Sequence, residues 1–382
     1  MTSKNSTHLT CLCGAISEPA SLLNGPEFPI TTSICHCNPC RQTTGSLGVS
    51  FPPLTSSPSA VTLSKLAAYH SSDILTRYFC PTCGCHCFLF HHQWNRWYCL
   101  GGIIEPNPSS QTKDVPGLKD TIKVSLHEYV LDTIDGGLTP LLLSLGDRSI
   151  PTWSAAPKQG PFDLLHDTVH SLSRKSIDAI STPKEDSYLP AKCHCGGVSL
   201  LIKRANYTSS ANSDVSARYI PSDPTKWLSY FCACRSCRLS FGVSLTPWAL
   251  VLPSHVFNAK TPAAIDDPSL VNNKNNPLPV TFGRLACSPE ANPGQTLKHH
   301  WSSPDVCRSF CGKCGASVSY WCEKRPDELD FAVGILRSEE GSMARGWLEW
   351  VWGKCSSDEE SIDREISEAW MGSAEKEKKL NG

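Results

Sequence analysis

The sequence predicts a mainly β chain folded as two tandem halves, with a short helical linker between them and a helix at the C-terminus. Two observations predict it. A set of seven cysteines occurs twice in the same order and local spacing, and an internal repeat is read before the fold because it defines the folding unit. Short runs such as "GVSLLI" (197–202), "SVSYW" (317–321) and "DFAVGIL" (330–336) alternate or are β-rich between Gly and Pro, as strands do.

The repeat comes in three pieces. A Cys-x-Cys-Gly stands at 11–14 ("CLCG") and 193–196 ("CHCG"). A Cys-x-Cys-x-x-Cys-Arg follows at 35–41 ("CHCNPCR") and 232–238 ("CACRSCR"). An aromatic before Cys-x-x-Cys-Gly closes it at 79–84 ("FCPTCG") and 310–315 ("FCGKCG"). These pieces absorb 14 of the 21 cysteines. Cys85 and Cys87 fall opposite Ala316 and Val318, so they read as small buried fillers before extra ligands. Cys99, Cys287, Cys307, Cys322 and Cys355 have no counterpart and read as structural or incidental.

Around the repeats, "PFDLLHDTVHSLSRKSIDAI" (161–180) has the apolar spacing of an amphipathic helix. It leads into the Pro- and charge-bearing linker "STPKEDSYLP" (181–190). "DDPSLVNNKNNPLP" (266–279) reads as an inserted surface loop. The tail "SSDEESIDREISEAWMGSAEKEKKL" begins with a Ser-Ser-Asp cap signal and mixes charges at helical spacing. The expected divisions are a first zinc domain at 7–155, a linker at 156–188, a second zinc domain at 189–355 and a charged helical tail at 356–382.

Composition narrows the function. With 382 residues, 40% apolar and 19% charged, the chain can build packed cores and is not globally disordered. Lys and Arg number 35 against 36 Asp and Glu, so no excess charge points to nucleic acid or to an anionic membrane. The N-terminal "MTSKNSTHLTCLCG" lacks the apolar core of a signal peptide, and no run approaches a membrane span. A cytoplasmic location is expected. A reducing compartment favours metal thiolates over disulfides, as does the close pairing of the cysteines.

The spacings suit zinc. In a strand, residues i and i+2 share a face, so Cys-x-Cys offers two adjacent sulfurs. Cys-x-x-Cys-Gly makes a knuckle whose glycine relieves a positive φ. Two sulfurs from each form the closed tetrahedron of structural zinc. Cys11, Cys13, Cys80 and Cys83 form it in the first half; Cys193, Cys195, Cys311 and Cys314 form it in the second. The triads Cys35, Cys37, Cys40 and Cys232, Cys234, Cys237 then supply three corners each, leaving one for water or substrate. Alternatively a fourth thiol, or one of His36, His86, His91 and His92, closes the site. Arg41 and Arg238 follow the triads and either offset the thiolate charge, hold a carboxylate, or lie on the surface. The hydroxyls of Thr43 and Ser240 either reach a substrate or cap a turn.

This order of motifs resembles the glutathione-dependent formaldehyde-activating enzyme family, also called the centromere-protein-V-like domain family. The likeness spans roughly residues 7–155 and 189–355. It takes in "CLGGII", "FAVGIL", "VSLHEYVLDTIDGGL" and "RGWLEWVWGK". The resemblance implies tandem β-tent-like domains with about two Zn²⁺ each, one in the four-cysteine site and one on the triad. It also implies a carbon–sulfur lyase-type activity that joins glutathione, as co-substrate, and formaldehyde into S-hydroxymethylglutathione. The partners are then a small-molecule thiol and an aldehyde. One departure stands out: the familiar histidine after the first triad cysteine is His36 here but Ala233 in the second copy. A non-catalytic zinc module binding a thiol adduct or a protein partner is the alternative.

Overall fold

The computed structural model describes residues 7–24, 28–105, 120–157, 163–180, 184, 187–208, 220–260, 278–288 and 290–381. In the first half, β1 (His8–Thr10) lies between Ser17–Pro19 and Ile104–Glu105 in a small antiparallel sheet. β2 (Ile30–Cys35) runs into the short helix α1 (Asn38–Thr44). β3 (Ala67–Ser72), β4 (Leu75–Phe79), β5 (His86–His91) and β6 (Arg96–Cys99) then form an antiparallel meander. β7 (Ile122–Glu128) returns parallel to β2. The linker helix is α2 (His166–Asp178).

The second half repeats this succession. β8 (Tyr188–Lys192) sits in a small antiparallel sheet, and β9 (Trp227–Cys232) runs into helix α3 (Arg235–Phe241). β10 (Thr246–Val251), β11 (Leu297–Ser303), β12 (Val306–Cys311), β13 (Ser317–Cys322), β14 (Arg325–Ala332) and β15 (Leu348–Ser356) complete a seven-stranded sheet in the order β11-β12-β13-β14-β10-β9-β15. The first half splits the same order into two sheets, β3-β4-β5-β6 and β7-β2 with Val49–Ser50. The two-residue strand Val49–Ser50 stands where the second half has the six residues of β10, and it is too short to join both parts. α4 (Arg364–Met371) and α5 (Ser373–Asn381) end the chain.

The tryptophans of "WLEWVW" pack as a β core element: Phe231 lies 5.3 Å from the Trp350 ring and 4.4 Å from that of Trp370 on α4. Burial of large aromatics dominates such cores. The halves are also joined through their glycine turns. Gly102 N–H donates to Gly242 O at 3.0 Å, and Gly334 N–H donates to Gly45 O at 2.8 Å. A Cβ on Gly102 would lie 2.1 Å from Val243 N, and one on Gly334 2.1 Å from Ser46 O. Only glycine permits that approach.

Three expectations change. The Cys-x-Cys pairs follow β1 and β8 in tight turns rather than lying within strands; Gly14 N–H closes on Cys11 O at 3.0 Å and Gly196 N–H on Cys193 O at 3.1 Å. The C-terminal tail is two short helices, because Ser356 still belongs to β15 and Ser357 turns with φ 53°. The last residues of the 181–190 linker are already strand β8, and the loop expected at 266–279 falls largely outside the described residues.

Candidate metal centres

Each four-cysteine cluster ties two sheets together. The Cys-x-Cys turn comes from the small sheet, and the Cys-x-x-Cys-Gly knuckle joins two meander strands. Gly84 and Gly315 adopt φ 78° and 77°, as the knuckle requires. The Sγ atoms of Cys11, Cys13, Cys80 and Cys83 all lie within 4.8 Å of one another, as do those of Cys193, Cys195, Cys311 and Cys314. Cys11–Cys13 and Cys13–Cys80 are 3.5 Å apart, and Cys193–Cys195 and Cys195–Cys311 are also 3.5 Å apart. A tetrahedron with bonds of about 2.3 Å has edges of roughly 3.8 Å, so these donor sets fit zinc. They are far too separated for a disulfide at about 2.05 Å, and all are free thiols.

Backbone and hydroxyl groups brace the sulfurs. Gly197 N–H donates to Cys195 Sγ at 3.3 Å, Val198 N–H to Cys193 Sγ at 3.2 Å, and Thr296 Oγ1 lies 3.1 Å from Cys311 Sγ. Cys13 and Cys195 are each lowered to about 7, first by hydrogen bonds with Cys11 and Cys193 respectively. Thiols prone to ionise are the ones that ligate metal.

The triads share one local design. The first cysteine ends a strand, the second caps a helix and the third sits in its first turn. Cys40 N–H donates to Cys37 Sγ at 3.4 Å, and Cys237 N–H does the same to Cys234 Sγ at 3.4 Å. Orphan amides of a first turn and the positive helix end favour a thiolate there. Within each triad the three sulfurs lie within 4.8 Å of one another, with no fourth His, Cys, Asp or Glu in the group among the described residues. Cys37 and Cys234 are the partly exposed members.

The histidines considered as closing ligands are engaged elsewhere. His36 Nε2 meets His127 Nδ1 at 3.0 Å, and His127 Nε2 meets Leu142 O at 3.0 Å. A carbonyl only accepts, so His127 carries its proton on Nε2 and receives one from His36. His86 Nε2 donates to Cys314 O at 2.9 Å, His91 stacks on Trp94 at 3.8 Å, and His92 bonds Thr76.

Arg41 and Arg238 are buried, which removes the surface reading. Arg41 donates to His36 O, Asn38 Oδ1 and Asp132 O, while Arg238 meets Glu105 at 3.3 Å. Two arginines the sequence reading passed over take the place beside sulfur. Arg77 on β4 donates to Cys40 Sγ at 3.2 Å, and Arg308 on β12 reaches Cys237 Sγ at 3.7 Å. Both stand three residues before the knuckle's first cysteine, in "RYFC" and "RSFC", a signal that was available. Burial opposes the charge of Arg77, but Cys40, Cys37 and Cys35 together more than offset it and the guanidinium pKa is raised. Cys40 is held well below the ordinary thiol range by hydrogen bonds from Cys35 and Cys37, with Arg77 adding to them. Thr43 and Ser240 bond helix carbonyls, Pro39 O at 2.7 Å and Cys237 O at 2.8 Å, and so cap their own turns.

The triads also differ. Glu128 ends β7 opposite Cys35, takes a hydrogen bond from Ser33 at 3.0 Å, and is pushed up to about 7, chiefly by burial. The matching position opposite Cys232 is Ser356. Around the second triad, Tyr230 instead donates to Asp330 at 2.8 Å, and Arg308 also bonds Ser236 and Ser240.

The model of the family described as "Glutathione-dependent formaldehyde-activating enzyme" matches residues 6–106. No curated protein and no solved structure matches. The match takes in the first four-cysteine set and the first triad. Residues 6–106 are thus similar to the glutathione-dependent formaldehyde-activating enzyme family.

Proposed function

We propose that the chain is a zinc-dependent carbon–sulfur lyase-type enzyme acting on a thiol adduct such as S-hydroxymethylglutathione. The observation that carries this reading is a triad of converging thiols, backed by a buried arginine and lacking a fourth protein ligand among the described residues. The four-cysteine clusters would hold structural zinc, and Cys35, Cys37, Cys40 with Cys232, Cys234, Cys237 would hold a second pair of ions. Zinc bound there would lower the pKa of an incoming thiol and keep it as thiolate.

The protein's own groups do the rest. Arg77 balances the thiolate charge at Cys40. Glu128, with a pKa near 7, is the group suited to move a proton. In the forward direction the substrate thiol loses its proton to water and its sulfur attacks the aldehyde carbon. The C–S bond forms, the carbonyl π pair moves to oxygen, and Glu128, reprotonated from water between turnovers, supplies that oxygen's proton. In reverse, Glu128 takes the hydroxyl proton as the C–S bond breaks and the electron pair returns to sulfur.

Exchange NMR on glutathione and formaldehyde tests this. Catalysed exchange with the adduct that disappears in Cys37→Ser supports the reading. Saturable adduct binding with no change in exchange rate would instead leave a non-catalytic zinc module.

A further inference from the structure

Away from the cysteines, a cavity of about 310 Å³ opens between the linker helix α2, the segment 140–144 and the C-terminal helix α5. His166, His170 and Arg174 line it from successive turns of α2, and Lys376 faces them from α5; Ser144, Pro140 and Leu143 complete the wall. Spacing of four residues puts the three α2 side chains on one helix face.

No carboxylate lines the cavity among the described residues. Glu377, the neighbour of Lys376, is paired with Arg345, and Asp167, on the exposed side of α2, is the acid whose charge reaches His170. His170 Nδ1 is buried with no hydrogen-bond partner. His166 Nε2 bonds Ile150 O at 3.0 Å, and Lys376 Nζ bonds Leu141 O at 2.6 Å. Cationic groups gathered without a balancing acid repel one another, and a bound oxyanion relieves that repulsion with charge-assisted hydrogen bonds. A divalent cation on the His166–His170 pair would face Arg174 and Lys376 at close range, which disfavours it.

We infer that this cavity is a binding site for a small ligand bearing an oxyanion, phosphate or carboxylate, held by Arg174, Lys376, His170 and Ser144. The site is independent of the thiol chemistry. No step of the proposed reaction uses these residues.

Titration calorimetry on the full chain at matched ionic strength tests it, with inorganic phosphate and succinate as probes and chloride as control. Saturable binding of phosphate or succinate is expected, weakened at least tenfold in an Arg174→Ala, Lys376→Ala variant with unchanged circular dichroism. The tighter probe names the head group. Absence of binding by both probes, or equal binding by the double variant, overturns the inference. A zinc content that drops in His170→Gln would also overturn it, by making the cluster a metal site.

Discussion

Arg77 sets a guanidinium 3.2 Å from Cys40 Sγ in a position only 1% exposed. A group that supports a ligand from behind typically changes metal affinity by about 10–100-fold when removed. Arg77→Met should therefore weaken zinc retention at the first triad by that range, measured by competition with a chromogenic chelator. Arg308→Met should do less, because Arg308 stands 3.7 Å from Cys237 Sγ and shares its donors with Ser236 and Ser240. At Glu128, Gln substitution should lower exchange turnover by about 10²–10⁴-fold with zinc content intact. With its pKa at about 7, the wild-type forward rate should fall as pH rises above that value, since the proton donor is lost. The reverse rate should fall below it, and both limbs should vanish in Glu128→Gln. His127 is fully buried and lowered from 6.5 to about 4, chiefly by burial. Between those values the unfolded chain binds a proton that the folded one refuses. Stability is then full above about pH 6.5 and declines toward pH 4, by up to about 1.4 kcal/mol per pH unit. Urea midpoints for His127→Gln should show a flatter acid slope than wild type.

At the level of elements, the triad helices α1 and α3 each end on the glycine turn of the other half. Two aspartates reinforce the exchange. Asp135 accepts from Ser342 Oγ at 3.1 Å and Met343 N at 2.8 Å, while Asp363 accepts from Thr121 N at 2.9 Å and Ile122 N at 3.1 Å. Both close the matching segments "DTID" and "ESID". A methyl group on Gly102 or Gly334 would collide with backbone of the opposite half, where a flexible side chain cannot move aside. Gly102→Ala or Gly334→Ala should destabilise by more than about 2 kcal/mol, the range of enforced overpacking and backbone strain. Thermal melts would check this, with Gly372→Ala as a reference that has an ordinary φ of −75° and no contact under 3.4 Å.

For the whole molecule, the two halves share one continuous hydrophobic core. His194 N–H bonds Gln42 O at 3.1 Å, and Tyr69 meets His194 at 2.6 Å, so a four-cysteine turn of one half leans on the triad helix of the other. Residues 1–157 expressed alone should therefore lose cooperative unfolding, since removing the partner exposes Phe79 and the Gly102 turn to water. Elemental analysis of the intact chain should give about four zinc, falling to about two in a folded Cys37→Ser, Cys234→Ser variant, because structural zinc is part of folding while an open triad is not. Among the described residues no helix is long and apolar enough to cross a membrane.

The sequence by itself determined the cysteine repeat, the mainly β character and which thiols gather, because ligand spacing is local and survives translation into turns and caps. Glycine positions in "CPTCG" and "CGKCG" likewise foretold their backbone turns. What stands behind the sulfurs was decided only by tertiary structure. Arg77 and Cys40 are 37 residues apart, and strand pairing of β7 with β2 is what brings Glu128 opposite Cys35. His36, one of four histidines that could close the first triad, sits between two cysteines, yet a strand end sends neighbouring side chains to opposite faces, and it turns inward to His127. The exchange of glycine turns between halves was equally hidden, since the pairing of distant backbones leaves no periodic mark in either segment.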